Sequence, residues 1–338
     1  MLAIEVAPPG PPSVLKLVER PKPEIGASDV LIRVDAAGVS RADVWQRQGN
    51  YPPPPGASDI LGLDVAGTIV AAGESVHDWK PGDRVCALVS GGGYAEYCAA
   101  PAVQVLPIPQ NWSPAEAVTL PENLFTVYDN LVTRARLKAG EKTLIHGGTS
   151  GIGSMAIMLS RELGAIPYAT AGSDEKCDAC LSLGAERAFN YRTEDFVQGC
   201  LSANAGNGVD VVLDIVGGKY LEKNIDVLAL EGRLSLVATA GGSSGTLPIG
   251  KLMHKRGTIV ASTLRARSVA EKGRIADLLR KHIWPVLPSK RHLRPIIDST
   301  FPLNDVRKAH ERMESGMHIG KIVLVVDVQR GNAIESSR

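Results

Sequence analysis

The sequence predicts an α/β protein: a doubly wound parallel sheet in mid-chain, joined to a β-rich domain. Three observations predict it. From about Asn123 to Leu264, short apolar runs alternate with helix-like segments, the pattern of a parallel sheet with crossover helices. The first 120 residues instead carry short β-rich runs punctuated by proline and glycine. Leu144 to Gly153, LIHGGTSGIG, places a glycine-rich turn between an apolar run and the helix-like segment Ser154 to Leu163.

In chain order, MLAIEV reads as a first strand ended by a Pro/Gly turn. The start has no basic segment followed by a long apolar one, so it does not read as a secretory signal. VLIRVDAAGV (Val30 to Val39) and LDVAGTIVAAG (Leu63 to Gly73) are β-rich, and Pro81-Gly82-Asp83 turns the chain into RVCALV. YPPPPG (Tyr51 to Gly56) is a stiff loop in which no helix can form. A helix is expected over Leu124 to Arg134, a strand over Ile166 to Thr170, and a helix over Glu175 to Leu183. Ala185 to Asn190 and Val209 to Val216 read as strands, Tyr220 to Leu230 as a helix, and Arg233 to Ala238 and Thr258 to Leu264 as strands. Right-handed crossovers put the ligand at the C-terminal strand ends, where the glycine-rich turn lies. The remainder alternates helix (Val269 to Ile283), strand (Ile296 to Thr300), helix (Asp305 to Ser315) and strand (Lys321 to Val326). It is too small to stand alone and is expected to return to the first domain. Residues 1–122 and 267–338 then form one domain and 123–266 the other. Arg330 to Arg338 are polar and expected to be disordered.

Composition narrows the function. A formal net charge of +1 gives no electrostatic case for nucleic acid or a membrane surface, and 4% aromatic residues give little for base stacking. No apolar stretch reaches the roughly 20 residues of a membrane span. Five scattered cysteines point to reduced thiols and a cytoplasmic setting. Cys177 and Cys180 form one C-x-x-C without a second pair, and they read as incidental helix residues.

GGTSGIG departs from G-x-G-x-x-G because Ser150 stands where the second glycine would be, counting from Gly148 to Gly153. Gly148, Ser150, Gly151, Ile152 and Gly153 are the candidate phosphate contacts, where small residues admit the pyrophosphate to a helix N-terminus. An ordinary strand-to-helix connection is the plainer alternative. The second strand ends in Ala171-Gly172-Ser173, without the Asp or Glu that holds an NAD ribose. Room at Gly172, the Ser173 hydroxyl and the Lys176 charge favour a 2′-phosphate, hence NADPH. Asp174 and Glu175 follow at once; they serve as that acid, repel a phosphate, or stabilise the next helix's first turn. Ser173 also suits an N-cap there. Tyr191 and Arg192 either flank the adenosine end or lie in a solvated loop.

Several ordered stretches resemble the medium-chain dehydrogenase/reductase superfamily, and within it the zinc-free NADPH:quinone oxidoreductases. They are RADVWQRQGNYPPPPGAS (Arg41 to Ser58), ILGLDVAG, PIPQ, LIHGGTSGIG, TAGS, FNYRTEDF, EKN and IGKIVL. The resemblance covers the chain to about Val326. It implies a central Rossmann domain, a β-rich GroES-like catalytic domain built from both chain ends, and a cleft between them. It further implies that Ser173, Lys176 and Tyr191 bind the 2′-phosphate side of NADPH, that Thr126 lies beside the nicotinamide, and that Tyr51 lines the substrate pocket. Relatives dimerise through their last Rossmann strand, here Thr258 to Leu264, so a homodimer is expected. The positions matching the zinc ligands of zinc-dependent relatives are Ser40, Leu63 and Glu122, and leucine binds no metal. Close quinone reductases have asparagine where this chain has Ser40.

The expected reaction is hydride transfer from NADPH to a quinone or related conjugated carbonyl without a metal. Tyr51 is the first candidate donor to the substrate oxygen and Ser40 the second; Tyr51 as a loop-packing residue is the alternative. Glu122 is either a partly buried pocket acid or a cap near a helix start. An enoyl or alkenal reductase shares every motif quoted, and a non-catalytic NADPH-binding structural or redox-sensing protein is the third reading.

Overall fold

The computed structural model describes residues 1–326, so the polar end from Arg330 lies outside the described residues. Strand β1 (Leu2–Val6) pairs antiparallel with β2 (Leu15–Glu19). β3 (Asp29–Val39) alternates half-buried and buried positions from Asp29 to Ala36, the period of a strand with one face on a core, and is wholly buried from Ala36 to Val39. Helix α1 (Arg41–Arg47) follows directly, in a stretch with no distinct helical period. Then come β4 (Asp64–Ala72), β5 (Arg84–Leu88), β6 (Tyr97–Pro101) and β7 (Val105–Pro107). Ser113 and Glu116 cap the short α2 (Pro114–Ala117) reciprocally. The expected helix Leu124 to Arg134 begins earlier, as α3 (Pro121–Val127), and continues as a π-helix over Tyr128–Arg134.

The central stretch runs β8 (Lys142–His146), α4 (Gly151–Glu162), β9 (Ile166–Ala171), α5 (Asp174–Ser182), β10 (Arg187–Asn190), α6 (Phe196–Ala203), β11 (Val209–Asp214), α7 (Leu221–Val227), β12 (Leu228–Leu236), α8 (Ile249–His254) and β13 (Thr258–Ala261). Six parallel strands lie in the order β10-β9-β8-β11-β12-β13, with the reversal of order between β8 and β11. The predicted doubly wound sheet is therefore present, and its switch point lies beside the glycine-rich turn. β13 is an edge strand.

The chain then forms α9 (Val269–His282), β14 (Ile297–Pro302), α10 (Val306–Ser315) and β15 (Lys321–Val325). β15 pairs antiparallel with β3, so the tail does return to the first sheet, whose order is β14-β15-β3-β4-β5-β7 with β6 paired to β3. Two compact units result. One comprises Met1–Glu122, Arg265–Lys290 and the chain from Arg294; the other is Asn123–Leu264 with Arg291–Leu293. The first has a core of Ile32, Val34, Val65, Ile69, Tyr94, Ile322 and Leu324; the second centres on Leu144, Tyr168, Phe196, Val212 and Leu234.

Several expected boundaries move. The helix expected over Tyr220 to Leu230 stops at Val227, because Leu228 already pairs with Val209 of β11. β12 then bulges near Glu231, which has a φ of 59°, and resumes pairing at Arg233. β11 ends at Asp214 rather than Val216, since the Asp214 carboxylate accepts from the Val216 and Gly217 amides and turns the chain. β13 ends at Ala261, not Leu264, and β10 starts at Arg187, not Ala185. The unforeseen α6 is capped by Asp195, which accepts from the Val197 amide at 2.8 Å.

Candidate functional site

The glycine-rich turn is built by packing and capping. Gly147 has a φ of 65°, and Ser150 caps α4, its hydroxyl accepting from the Gly153 amide at 2.9 Å. A Cβ on Gly153 would lie 2.2 Å from the Gly147 carbonyl oxygen, so only glycine lets the helix start this close to the turn. Ser150 thus replaces a glycine by supplying a cap. Gly151 and Ile152 form the first turn of α4, where unpaired N–H groups favour an anion.

Beneath the turn lies a buried hydrogen-bond chain that the sequence did not announce. His146 Nε2 is 2.7 Å from Asn224 Oδ1, and its Nδ1 is 2.9 Å from Thr170 Oγ1. The Asn224 amide nitrogen donates to Asp214 Oδ2 at 2.9 Å. An amide oxygen only accepts, so Nε2 carries the ring proton and Nδ1 accepts from Thr170. Burial lowers the His146 pKa and keeps the ring neutral, against the pull of Asp214.

At the end of β9, Ser173 caps α5, accepting from the Lys176 amide at 3.3 Å. A Cβ on Gly172 would stand 2.7 Å from the Tyr191 hydroxyl, so Tyr191 sits directly over the strand end, the residue being 44% exposed. The Asn190 side-chain amide nitrogen donates to Asp174 Oδ1 at 2.7 Å, which occupies that oxygen locally. Gly172, Ser173, Lys176 and Tyr191 are therefore gathered at neighbouring ends of β9 and β10. This donor set, with no acid among Ala171, Gly172 and Ser173, fits a 2′-phosphorylated dinucleotide. Thr126 is buried on α3, and its carbonyl accepts from Asn130 at 2.9 Å.

The first unit holds the other candidates. Ser40 is nearly buried; its amide and hydroxyl both donate to Asp43 Oδ2, at 2.8 and 3.1 Å. Tyr94 Oη donates to the same oxygen at 3.1 Å and the Gly62 amide to Oδ1 at 3.0 Å. With its proton committed to Asp43, Ser40 offers a ligand lone pairs rather than a hydrogen. Behind Tyr94, His310 Nε2 lies 3.4 Å from the phenol oxygen and Nδ1 3.2 Å from Arg47 Nη1, and Arg47 pairs with Glu314 at 2.7 Å. Burial, helped by Arg47, pushes the His310 pKa down to about 3.

Glu122, on the first turn of α3, accepts from Lys321 Nζ at 2.8 Å, and the same ammonium donates to Asp64 at 2.7 Å. Asp64 also accepts from the Glu122 amide. Burial raises the Asp64 pKa to about 7; the charge of Glu122 adds to the rise and Lys321 opposes it. The positions that the resemblance matches to zinc ligands thus hold a leucine, a serine bonded to Asp43 and a glutamate bonded to Lys321. That set does not fit a tetrahedral catalytic zinc.

Tyr51 is half-buried, and its hydroxyl has no hydrogen-bond partner among the described residues. Burial raises its pKa, so it keeps its proton. Its ring packs edge-on to Trp45 and lies 5.3 Å from the Arg265 guanidinium. Glu122 acts electrostatically on both Tyr51 and Asp43, and Asp43 on Arg265, so Tyr51, Ser40 and Glu122 share one charged neighbourhood. Asp43 and Lys321 lie in stretches that carry the resemblance but were assigned no role there, and Arg265 lies in none of those stretches.

The chain matches known proteins over nearly its whole length. Residues 26–110 match the alcohol dehydrogenase GroES-like domain family and residues 183–324 the zinc-binding dehydrogenase family. Quinone oxidoreductase of Lama guanicoe is 34% identical over 336 residues, covering 96% of this chain and 98% of the relative. The structure of Escherichia coli quinone oxidoreductase complexed with NADPH has a TM-score of 0.84 and 27% identity, covering 96% of this chain and all of that one. The CurF ER cyclopropanase of curacin A biosynthesis has a TM-score of 0.85 and 25% identity, covering 96% of this chain and 99% of that one.

Proposed function

The chain belongs to the medium-chain dehydrogenase/reductase superfamily of oxidoreductases, and from that membership we propose that it uses NADPH to reduce quinones without a metal. The observation that supports this most is Tyr51: a protonated phenol with an uncommitted hydroxyl, placed where the neighbouring positions lack a zinc donor set. The acid-free end of β9, with Ser173, Lys176 and Tyr191 around Gly172, supports NADPH over NADH.

When bound, NADPH supplies a hydride. The chain's own part is to orient the acceptor and stabilise charge on its oxygen. Tyr51 donates a hydrogen bond to that oxygen. Ser40 is held by Asp43 as a fixed wall of the same region. Lys321 holds Glu122 and Asp64 in place. A quinone becomes aromatic on reduction, so one phenolic donor serves where a simple ketone needs a Lewis acid. One proton per hydride completes the hydroquinone, and solvent supplies it.

The likeness to the CurF ER cyclopropanase favours one second reading, reduction of an enone, in which the hydride goes to the β-carbon while Tyr51 holds the carbonyl oxygen in the same way. Cofactor oxidation with 1,2- and 1,4-quinones and with enones separates the two. Turnover of quinones with NADPH at least about tenfold above that of enones is expected, a margin of roughly 1.4 kcal/mol. The reverse order selects the enone reading. Tight NADPH binding without oxidation of either class overturns both.

A further inference from the structure

Arg265 and Lys272 are the unusual charges of the first unit. Both are buried, 5% and 3% exposed, and among the described residues neither has a carboxylate within salt-bridge distance. Arg265 Nε donates to the Ser90 carbonyl at 2.9 Å, Nη2 to Gln46 Oε1 at 2.7 Å and Nη1 to the Tyr51 carbonyl at 3.4 Å. Lys272 Nζ donates to Ser90 Oγ at 2.8 Å and to the Arg265 carbonyl at 3.1 Å. Every one of these acceptors is neutral. The other buried cations of this unit are treated differently: Arg47 pairs with Glu314 and Lys321 with Asp64 and Glu122.

Burying a charge without a counterion is costly, and two adjacent like charges add to the cost. Burial lowers the pKa of both groups, and Arg265 lowers Lys272 further. Asp43 acts on Arg265 only at longer range. A guanidinium has five N–H groups; three are used here and two remain. The guanidinium lies against the ring of Tyr51, the residue assigned to the acceptor. A purely structural latch would be cheaper with one neutral side chain. A cation pair left uncompensated beside an aromatic ring is complementary to an anionic group carried on a flat molecule.

We infer that Arg265, backed by Lys272, is a specificity-determining subsite for acceptors that carry an anionic substituent, a carboxylate or sulfonate on a quinone ring. The inference rests on the assignment of Tyr51 to the acceptor site. It is tested with the pair 1,2-naphthoquinone-4-sulfonate and 1,2-naphthoquinone, using NADPH. The wild-type protein is expected to show a kcat/KM ratio of about tenfold or more in favour of the sulfonated quinone, from one charge-assisted contact. Arg265→Gln brings that ratio close to one whatever its overall turnover, and Arg265→Lys keeps part of it. A wild-type ratio near one, or a ratio that Arg265→Gln leaves intact, overturns the inference. If neither quinone is turned over, the quinone reading has failed, and the subsite is judged by calorimetry with 2-naphthalenesulfonate. Binding that Arg265→Gln abolishes supports it, and equal or absent binding to both proteins overturns it.

Discussion

Tyr51 and Ser40 show how much one side chain's partner decides. Both carry a hydroxyl in the same neighbourhood, but Asp43 holds the proton of Ser40 while Tyr51 keeps an unspent donor. The sequence exposed Tyr51 through the stretch from Arg41 to Ser58, and Ser40 through its match to a zinc-ligand position of zinc-dependent relatives. It could not rank them, because the ranking depends on a carboxylate whose own bonds come from Tyr94 and Gly62. Lys321 and Arg265 were illegible for a related reason: Lys321 meets Asp64, 257 positions earlier, and Arg265 meets Gln46, 219 positions earlier. At this scale His310 yields a pH prediction. The unfolded chain protonates this ring below about 6.5, the folded protein only below about 3. The unfolded state therefore binds more protons between those values, and stability falls as pH drops from 6.5 toward 3. The slope from this one group is at most about 1.4 kcal/mol per pH unit. His310→Gln should lower the melting temperature at pH 7 yet flatten its decline between pH 6.5 and 4.5. Parallel curves for the two proteins would remove His310 from the acid transition.

Elements were easier to read where period and punctuation agreed. β9, α5 and β15 lie within a residue or two of the expected spans, since the strands are short apolar runs beside glycine and α5 starts at its Ser173 cap. The π-helix over Tyr128–Arg134 was not legible, because its extra residue per turn leaves no mark that a helix period would not also leave. Its Asn130 accepts from Ser235 and Ser262, at 3.1 and 2.9 Å, contacts set by the tertiary fold. α5 carries the cofactor prediction. Its N-terminal cap, Ser173, and the Lys176 side chain one turn on are assigned to the 2′-phosphate. Lys176→Ala should raise the KM for NADPH by about 10- to 100-fold, the size of a lost charged hydrogen bond, and leave that for NADH within about twofold. Equal shifts for the two cofactors would detach α5 from the phosphate.

For the molecule as a whole, both chain ends build one sheet and the middle builds the other. That division was legible because the alternation of strand and helix begins and ends abruptly. The return of β15 to β3 was expected only from the small size of the tail, while its register, Val323 opposite Gly38, needed the structure. The central claim is that Tyr51 does the electrostatic work of a metal in an NADPH-dependent quinone reductase. Its most direct test is kcat for 1,2-naphthoquinone with NADPH after exhaustive dialysis against chelator, for wild type and Tyr51→Phe. The account predicts undiminished turnover in the wild type and a loss of about 100-fold in the variant, as for removal of one oriented donor. Activity that vanishes on chelation, or a variant that turns over like the wild type, would contradict it.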